Sequence, residues 1–364
     1  MGTATASTAD LSTAIAKKKA LEQSFFKKGV AIGLFSSVMY GLYTAFLTAA
    51  QNAGIWVDWF ANLEATSFLV IFILPAIASG LNDTCSAIWA LAITIKQGKL
   101  ADFGRTLRTK PGAIMIGAAA VGGPIASIAY VVAISQAGPI VIPIAALCPA
   151  IGSILSRILY KQLMGPRVIA GICVCAFASG MIGMTSLTGE AQPGMVTGLI
   201  LAFVAALGWG AEGCIAGYGT SMIDSQIGIT IRQVTSGVGN LLIAIPILAI
   251  AGGLPLGEVY GFVGTAIADI PSIVFFAVSG LCAYFSFSSW YRANSMCGTA
   301  LGMALNGTYS FTAPLCTWII LGIVMGVAGY SLAPVAWLAA FIMVCGIFLI
   351  AVNPLDFFRK ERAA

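Results

Sequence analysis

The chain of 364 residues has no histidine, and only 9% of its residues are charged. Without imidazole, the side chain that ordinarily titrates near neutrality is missing, so proton chemistry inside the protein would fall to carboxylates. Its nine cysteines lie in or beside apolar stretches with neither CxxC nor Cys/His spacing, which argues against a zinc site or a disulfide framework. No phosphate-binding loop, metal motif or nucleophile-and-base set occurs, and the polar loops are too short to hold an ATPase domain. Neither an enzyme nor a cofactor is expected.

What fills the chain instead is apolar: 59% hydrophobic residues and a mean hydropathy of +0.97, more than a water-soluble fold can hide. Apolar runs of ~20 residues recur, each long enough to cross ~30 Å of hydrocarbon as a helix and too poorly alternating for barrel strands. The expected fold is an all-α membrane protein with ten spans, near 30–50, 70–95, 112–134, 139–160, 166–186, 195–220, 228–252, 271–291, 299–322 and 333–352. With that register all 18 Lys and Arg fall at ends on one side, from Lys17 through Arg105 and Arg157 to Arg362. The opposite loops hold Asp58, Glu64, Glu190, Glu258 and Asp269. The positive-inside rule then places both termini in the cytoplasm of a multi-pass protein of the cell (inner) membrane. The basic excess is thereby topological, and no nucleic-acid partner is implied; the expected partners are the lipid bilayer and a small-molecule cationic substrate.

Residues 1–28 read as a polar cytoplasmic tail without a cleavable signal, in which Thr8 to Phe26 is either a short interfacial helix or disordered. The loop from Gly189 to Gly194 divides the spans into two sets of five, 29–187 and 195–353, before a second cytoplasmic tail at 354–364. Because five is odd, homologous halves would lie inverted in the membrane, as in many transporters. Tyr40-Gly41-Leu42-Tyr43 in the first span echoes Trp209-Gly210-Ala211-Glu212 in the sixth. Ala146-Leu147-Cys148-Pro149 in the fourth echoes Ala304-Leu305-Asn306-Gly307 in the ninth. Pro124 and Pro149 are positioned to break helices where they line a cavity.

A carboxylate inside a span is costly unless it has a partner or a task. Glu212 sits three residues from Trp209, so a π surface and an anion can share a helix face, a pairing suited to a small organic cation. Two other roles are open to Glu212: an ion pair with Arg232, or proton coupling. Asp83, with Ser79 and Ser86 on its face and no basic residue on its helix, reads as a polar cavity wall, a coupling residue or a hydrogen-bonded structural group. Tyr40, Tyr43 and Tyr309 are candidate cavity walls, whereas Trp290 and Tyr291 beside Arg292 read as an interface belt.

Certain motifs resemble a known family. Asn82-Asp83, Gly123-Pro124-Ile125, Pro149-Ala150-Ile151, Trp209-Gly210 with Glu212, Ile231-Arg232-Gln233-Val234-Thr235-Ser236, and Asn306 with Tyr309 are similar to those of the drug/metabolite transporter superfamily, EamA type. Within it the likeness is to LicB-type choline uptake permeases, over roughly residues 30–352. The resemblance implies ten helices and a choline site of aromatic faces and a glutamate, mapping here to Trp209, Glu212 and Tyr40. Tyr40 stands where that pattern has Trp, and Cys148 where it has Tyr. The functional expectation is a secondary transporter of choline or a related quaternary ammonium ion by alternating access, with substrate contacts from Glu212, Trp209, Tyr40, Asp83, Asn82, Asn306 and Tyr309. A proton-coupled exporter of amino acids or similar metabolites, and a membrane sensor, are the rivals.

Overall fold

The computed structural model describes residues 8–161, 165–187, 194–220, 222–297 and 299–351. Every regular element among them is a helix. In chain order these are α1 (Thr8–Gln51), α2 (Ile55–Asn62), α3 (Leu74–Lys96), α4 (Leu100–Thr106), α5 (Lys110–Ala120) and α6 (Ile128–Ala137). Then come α7 (Ile142–Ala145), α8 (Cys148–Tyr160), α9 (Pro166–Leu187), α10 (Met195–Thr220), α11 (Ser225–Gly239) and α12 (Ile245–Ala251). The last are α13 (Leu256–Ala268), α14 (Ile270–Cys297), α15 (Thr299–Gly307), α16 (Tyr309–Thr317) and α17 (Pro334–Ala351). The tail at 354–364 and the loop at 188–193, with Glu190, lie outside the described residues.

Among the described residues, seven helical stretches are long and apolar enough to cross a membrane: Ser24–Gln51, Leu69–Lys96, Lys110–Ala145, Met195–Ala216, Ser225–Ala251, Ile270–Met296 and Leu301–Val324. Shorter apolar helices at Cys148–Leu159, Pro166–Met181 and Pro334–Ile350 occupy the expected fourth, fifth and tenth positions. Large apolar side chains such as Ile200, Phe203, Leu242, Ile247 and Ile250 face outward. Such a surface fits lipid and not water, and the chain is a multi-pass helical membrane protein.

Local chemistry sets several helix ends. Asp224 caps α11, its Oδ1 accepting from the backbone N–H of Gln226 at 3.0 Å and Ile227 at 3.3 Å. Thr109 does the same for α5 through Gly112, with Pro111 in the first turn, where its missing N–H costs nothing. Gly54, at φ 54°, turns the chain between α1 and α2, and a Cβ there would strike the Asp269 carboxylate.

The observed spans differ from the simple expected ones in three ways, of which the break at Pro149 is one the sequence already marks. The helix that opens at Thr8 runs without interruption into the first span, so residues 8–26 form neither a separate short helix nor a disordered segment. The fourth span is broken: α7 ends at Ala145 and α8 restarts at Cys148-Pro149, because proline cannot supply the N–H that would continue the ladder. In the ninth, α15 ends at Gly307 and α16 restarts at Tyr309. These interruptions meet, since a Cβ on Gly307 would lie 3.2 Å from Pro149 Cγ. Finally, α2 and α13 stand where loops were expected, and they touch through Trp59 and Phe262, ring centroids 5.1 Å apart.

The packing has a reciprocal pattern. Helix α1 lies along α14 and against α15 and α16, while α10 lies along α5 and α6 and against α7 and α8. Helix α3 faces α11, and α9 faces α17.

Candidate functional site

Around the broken helices, aromatic side chains from five helices converge. Tyr40 of α1 is stacked on Tyr309 of α16, with centroids 4.0 Å apart and planes at 20°. Edge contacts join Tyr40 to Trp209 of α10 at 6.0 Å, to Tyr130 of α6 at 6.0 Å and to Phe287 of α14 at 6.2 Å. Tyr40, Trp209, Phe287, Trp290 and Tyr309, with Cys148, Met303 and Asn306, enclose one small cavity. Its volume of about 20 Å³ accommodates a water molecule and no organic ion.

Two atoms of this wall are conspicuously unused. The Tyr40 hydroxyl and the Trp290 indole N–H are buried without a hydrogen-bond partner, an arrangement that costs free energy unless a ligand or water supplies the missing contact. The other polar groups are committed. Trp209 Nε1 donates to the Gly122 carbonyl at 3.0 Å, and Ser36 Oγ lies 2.7 Å from Asn306 Oδ1.

Glu212 is held in a different place. Arg232 Nε donates to its Oε1 at 2.9 Å and Nη2 reaches Oε2 at 3.4 Å, a two-pronged pair in which both side chains are 0% exposed. The remaining guanidinium nitrogen, Nη1, donates to Gln233 Oε1 at 2.9 Å, and Arg232 Cζ lies 3.6 Å from the Phe287 ring centroid. The Tyr291 hydroxyl stands 3.5 Å from Glu212 Oε1. Close approach here needs glycine: a Cβ on Gly122 would overlap the Glu212 carboxylate, and one on Gly123 would overlap Ser236 Oγ. Pro124 sits in a widened helical turn, Val121–Ser127, that joins α5 to α6 beside these glycines.

Asp83 occupies a third position, in the seam of α3, α11 and α14. It is 3% exposed and no basic side chain donates to it. Its oxygens accept instead from two carboxamides, Asn82 Nδ2 at 3.1 Å and Asn240 Nδ2 at 2.9 Å.

Of the sequence-predicted contacts, the structure therefore gathers Tyr40, Trp209, Asn306 and Tyr309 around the cavity. Glu212, Asn82 and Asp83 do not line it. Trp209 and Glu212 are three residues apart but ~60° apart around the helix, enough to send the ring into the box and the carboxylate into the next seam. Trp290 and Tyr291 are 4% and 1% exposed, so neither belongs to an interface belt. Phe287 and Met303 went unrecognised in the sequence; the spacing of Phe287 with Trp290 and Tyr291, three and four residues on, is the signal that one helix face carries all three.

At the ends of the molecule lie two wider hollows. One, of about 540 Å³, is bounded by Phe35, Lys99, Gln226, Ser288 and Arg292. The other, of about 500 Å³, is bounded by Thr48, Asn52, Ser135 and Tyr330. On α1 the box residue Tyr40 lies between Phe35, which borders the first hollow, and Thr48, which borders the second.

No family model matches the chain, and no curated protein matches it. A solved structure described as "Crystal structure of protein" is similar in fold, with a TM-score of 0.53 at 15% identity over 92% of this chain and 99% of that one.

Proposed function

We propose that the protein is a secondary transporter that moves a small organic cation, choline or a related quaternary ammonium ion, across the cell (inner) membrane by alternating access. The observation that carries this reading is the box of five aromatic rings around one small cavity. A cation stripped of water gains up to about 2 kcal/mol over each favourable ring face, and a weakly hydrated ammonium ion loses little on entry. Glu212 is not its counter-ion in this reading, because Arg232 already neutralises it.

The architecture supports the same proposal. We take the shorter apolar helices as spans, giving ten in two inverted five-helix repeats with both termini cytoplasmic. Inversion is supported by the reciprocal packing of α1 with α14–α16 and of α10 with α5–α8, and by the matched breaks after Ala145 and Gly307. Discontinuous helices at a repeat interface are where such transporters hold substrate. The hollow bordered by Phe35 and the one bordered by Thr48 suit the two access routes that alternating access requires. Membership of the drug/metabolite transporter superfamily is part of this proposal and rests on the motifs.

Counterflow tests it. Purified protein in liposomes preloaded with unlabelled choline should accumulate external labelled choline transiently, and Trp209→Leu should abolish the overshoot. Absence of counterflow in the wild type sinks the substrate claim.

A further inference from the structure

The hollow bordered by Phe35 and Arg292 carries chemistry that a cation route does not call for. It lies where the spans ending at Lys96 and Met296 stop and those starting at Ser24 and Ser225 begin, so it sits at a membrane interface. Part of its wall is basic and polar: Lys99 and Arg292 line it, with Gln97, Ser225, Ser288 and Ser289. Lys99 Nζ is 2.9 Å from Asp224 Oδ2, so that carboxylate answers one of the two cations. Arg292 is exposed and has no ion-pair partner among the described residues. Lys28 adds a further exposed cation one turn beyond the wall. It stands four residues before Ile32 and seven before Phe35, on the face of α1 that borders the hollow.

The rest of the wall is apolar. Ile32, Phe35 and Phe285 line it, and the two phenylalanines keep 45% and 39% of their surface exposed. A free anion would satisfy Arg292 and leave these rings uncovered. A neutral lipid would cover the rings and leave the arginine without a counter-charge. One molecule with a phosphate head and apolar tails meets both demands, and basic hollows between spans are where such headgroups bind.

We propose that this hollow holds the headgroup of an anionic glycerophospholipid from the adjoining leaflet. The planar fork of Arg292 takes the phosphodiester oxygens, Lys28 adds attraction, and the three serine hydroxyls donate to the head. The acyl chains run outward over Phe35 and Phe285. A volume of about 540 Å³ lies within the range of small-molecule sites. The site has a consequence for entry to the aromatic box. A cation crossing the hollow meets the uncompensated charge of Arg292, and a bound anionic head removes that repulsion. This consequence rests on the cation reading given above; the lipid site does not.

Native mass spectrometry of the detergent-solubilised protein tests the site, with phosphatidylglycerol and phosphatidylcholine as probes. Phosphatidylglycerol should bind more tightly, and Arg292→Gln should weaken it about five-fold while leaving phosphatidylcholine unchanged. Arg108→Gln, which removes an exposed arginine outside the hollow, should alter neither. No preference for phosphatidylglycerol overturns the site, and so does an equal loss in Arg108→Gln, which marks unspecific attraction. Displacement of the lipid by glycerol phosphate overturns the lipid as occupant in favour of a soluble anion. Choline counterflow reads the consequence. Phosphatidylglycerol in the vesicles should raise the wild-type rate, and in phosphatidylcholine vesicles Arg292→Gln should outpace the wild type. Selective lipid binding with an unaltered rate upholds the site and removes its effect on entry; selective binding without any counterflow upholds the site and sinks the cation reading alone.

Discussion

Phe287 stands between two buried clusters that treat positive charge in opposite ways. On one side Arg232 lies against its ring and is locked to Glu212 by two hydrogen bonds, a fixed cation with a fixed counter-ion. On the other side Tyr40, Trp209, Trp290 and Tyr309 complete a wall of neutral rings with no carboxylate among them. The contrast teaches that the costly desolvation of charge is confined to groups that never leave. In the proposed transporter, the exchangeable cation would be met by π faces, which carry no charge left uncompensated when it departs. Were Glu212 to line the box, release would have to break a desolvated ion pair on every cycle.

The comparison breaks most violently at Arg232. Arg232→Met leaves Glu212 buried and unpaired and should cost about 3–5 kcal/mol of stability in detergent unfolding, while adding Glu212→Met should restore most of it. Loss confined to transport, with stability intact, would move Arg232 to the substrate side. Next is Gly122→Ala, whose Cβ enters the space of the Glu212 carboxylate and should destabilise the fold by about 1–3 kcal/mol.

On the box side, Tyr309→Leu removes the ring stacked on Tyr40 and should weaken choline binding by about 2 kcal/mol, roughly 30-fold in Kd, measured by calorimetry. Stability should change less than affinity. The smallest effect lies outside the spans. Partial burial pushes the Asp224 carboxyl up, but the Lys99 ammonium at 2.9 Å and the backbone N–H groups of Ile227 and Gln226 hold it below the usual carboxylate range. A lowered folded value makes its contribution complete above the ordinary aspartate pKa and lost as the pH falls through the folded value. The protection of the Gln226 and Ile227 amides, measured as exchange relative to the intrinsic rate at each pH, should therefore fall selectively in acid, and Asp224→Asn should remove that dependence.

Apolar run length and the absence of charge made the helical membrane fold legible, because both are one-dimensional properties. Tyr40, Trp209, Asn306 and Tyr309 were legible as candidates because aromatic and amide side chains inside spans stand out. What one dimension does not carry is rotation about the helix axis. That rotation separates Trp209 from Glu212, brings Arg232 to the carboxylate and turns Trp290 inward to the cavity. The helices α2 and α13 escaped notice for a related reason: 8 and 13 residues are too short to span, and their value lies in the contact between Trp59 and Phe262.

The central claim is that rings, and not Glu212, hold the cation. Choline affinity of the wild type, of Trp209→Leu and of the double variant Glu212→Met with Arg232→Met decides it by isothermal titration calorimetry. The account predicts a loss of roughly 30-fold for Trp209→Leu and near wild-type affinity for the double variant. Abolished binding in the double variant, with Trp209→Leu unimpaired, would contradict it.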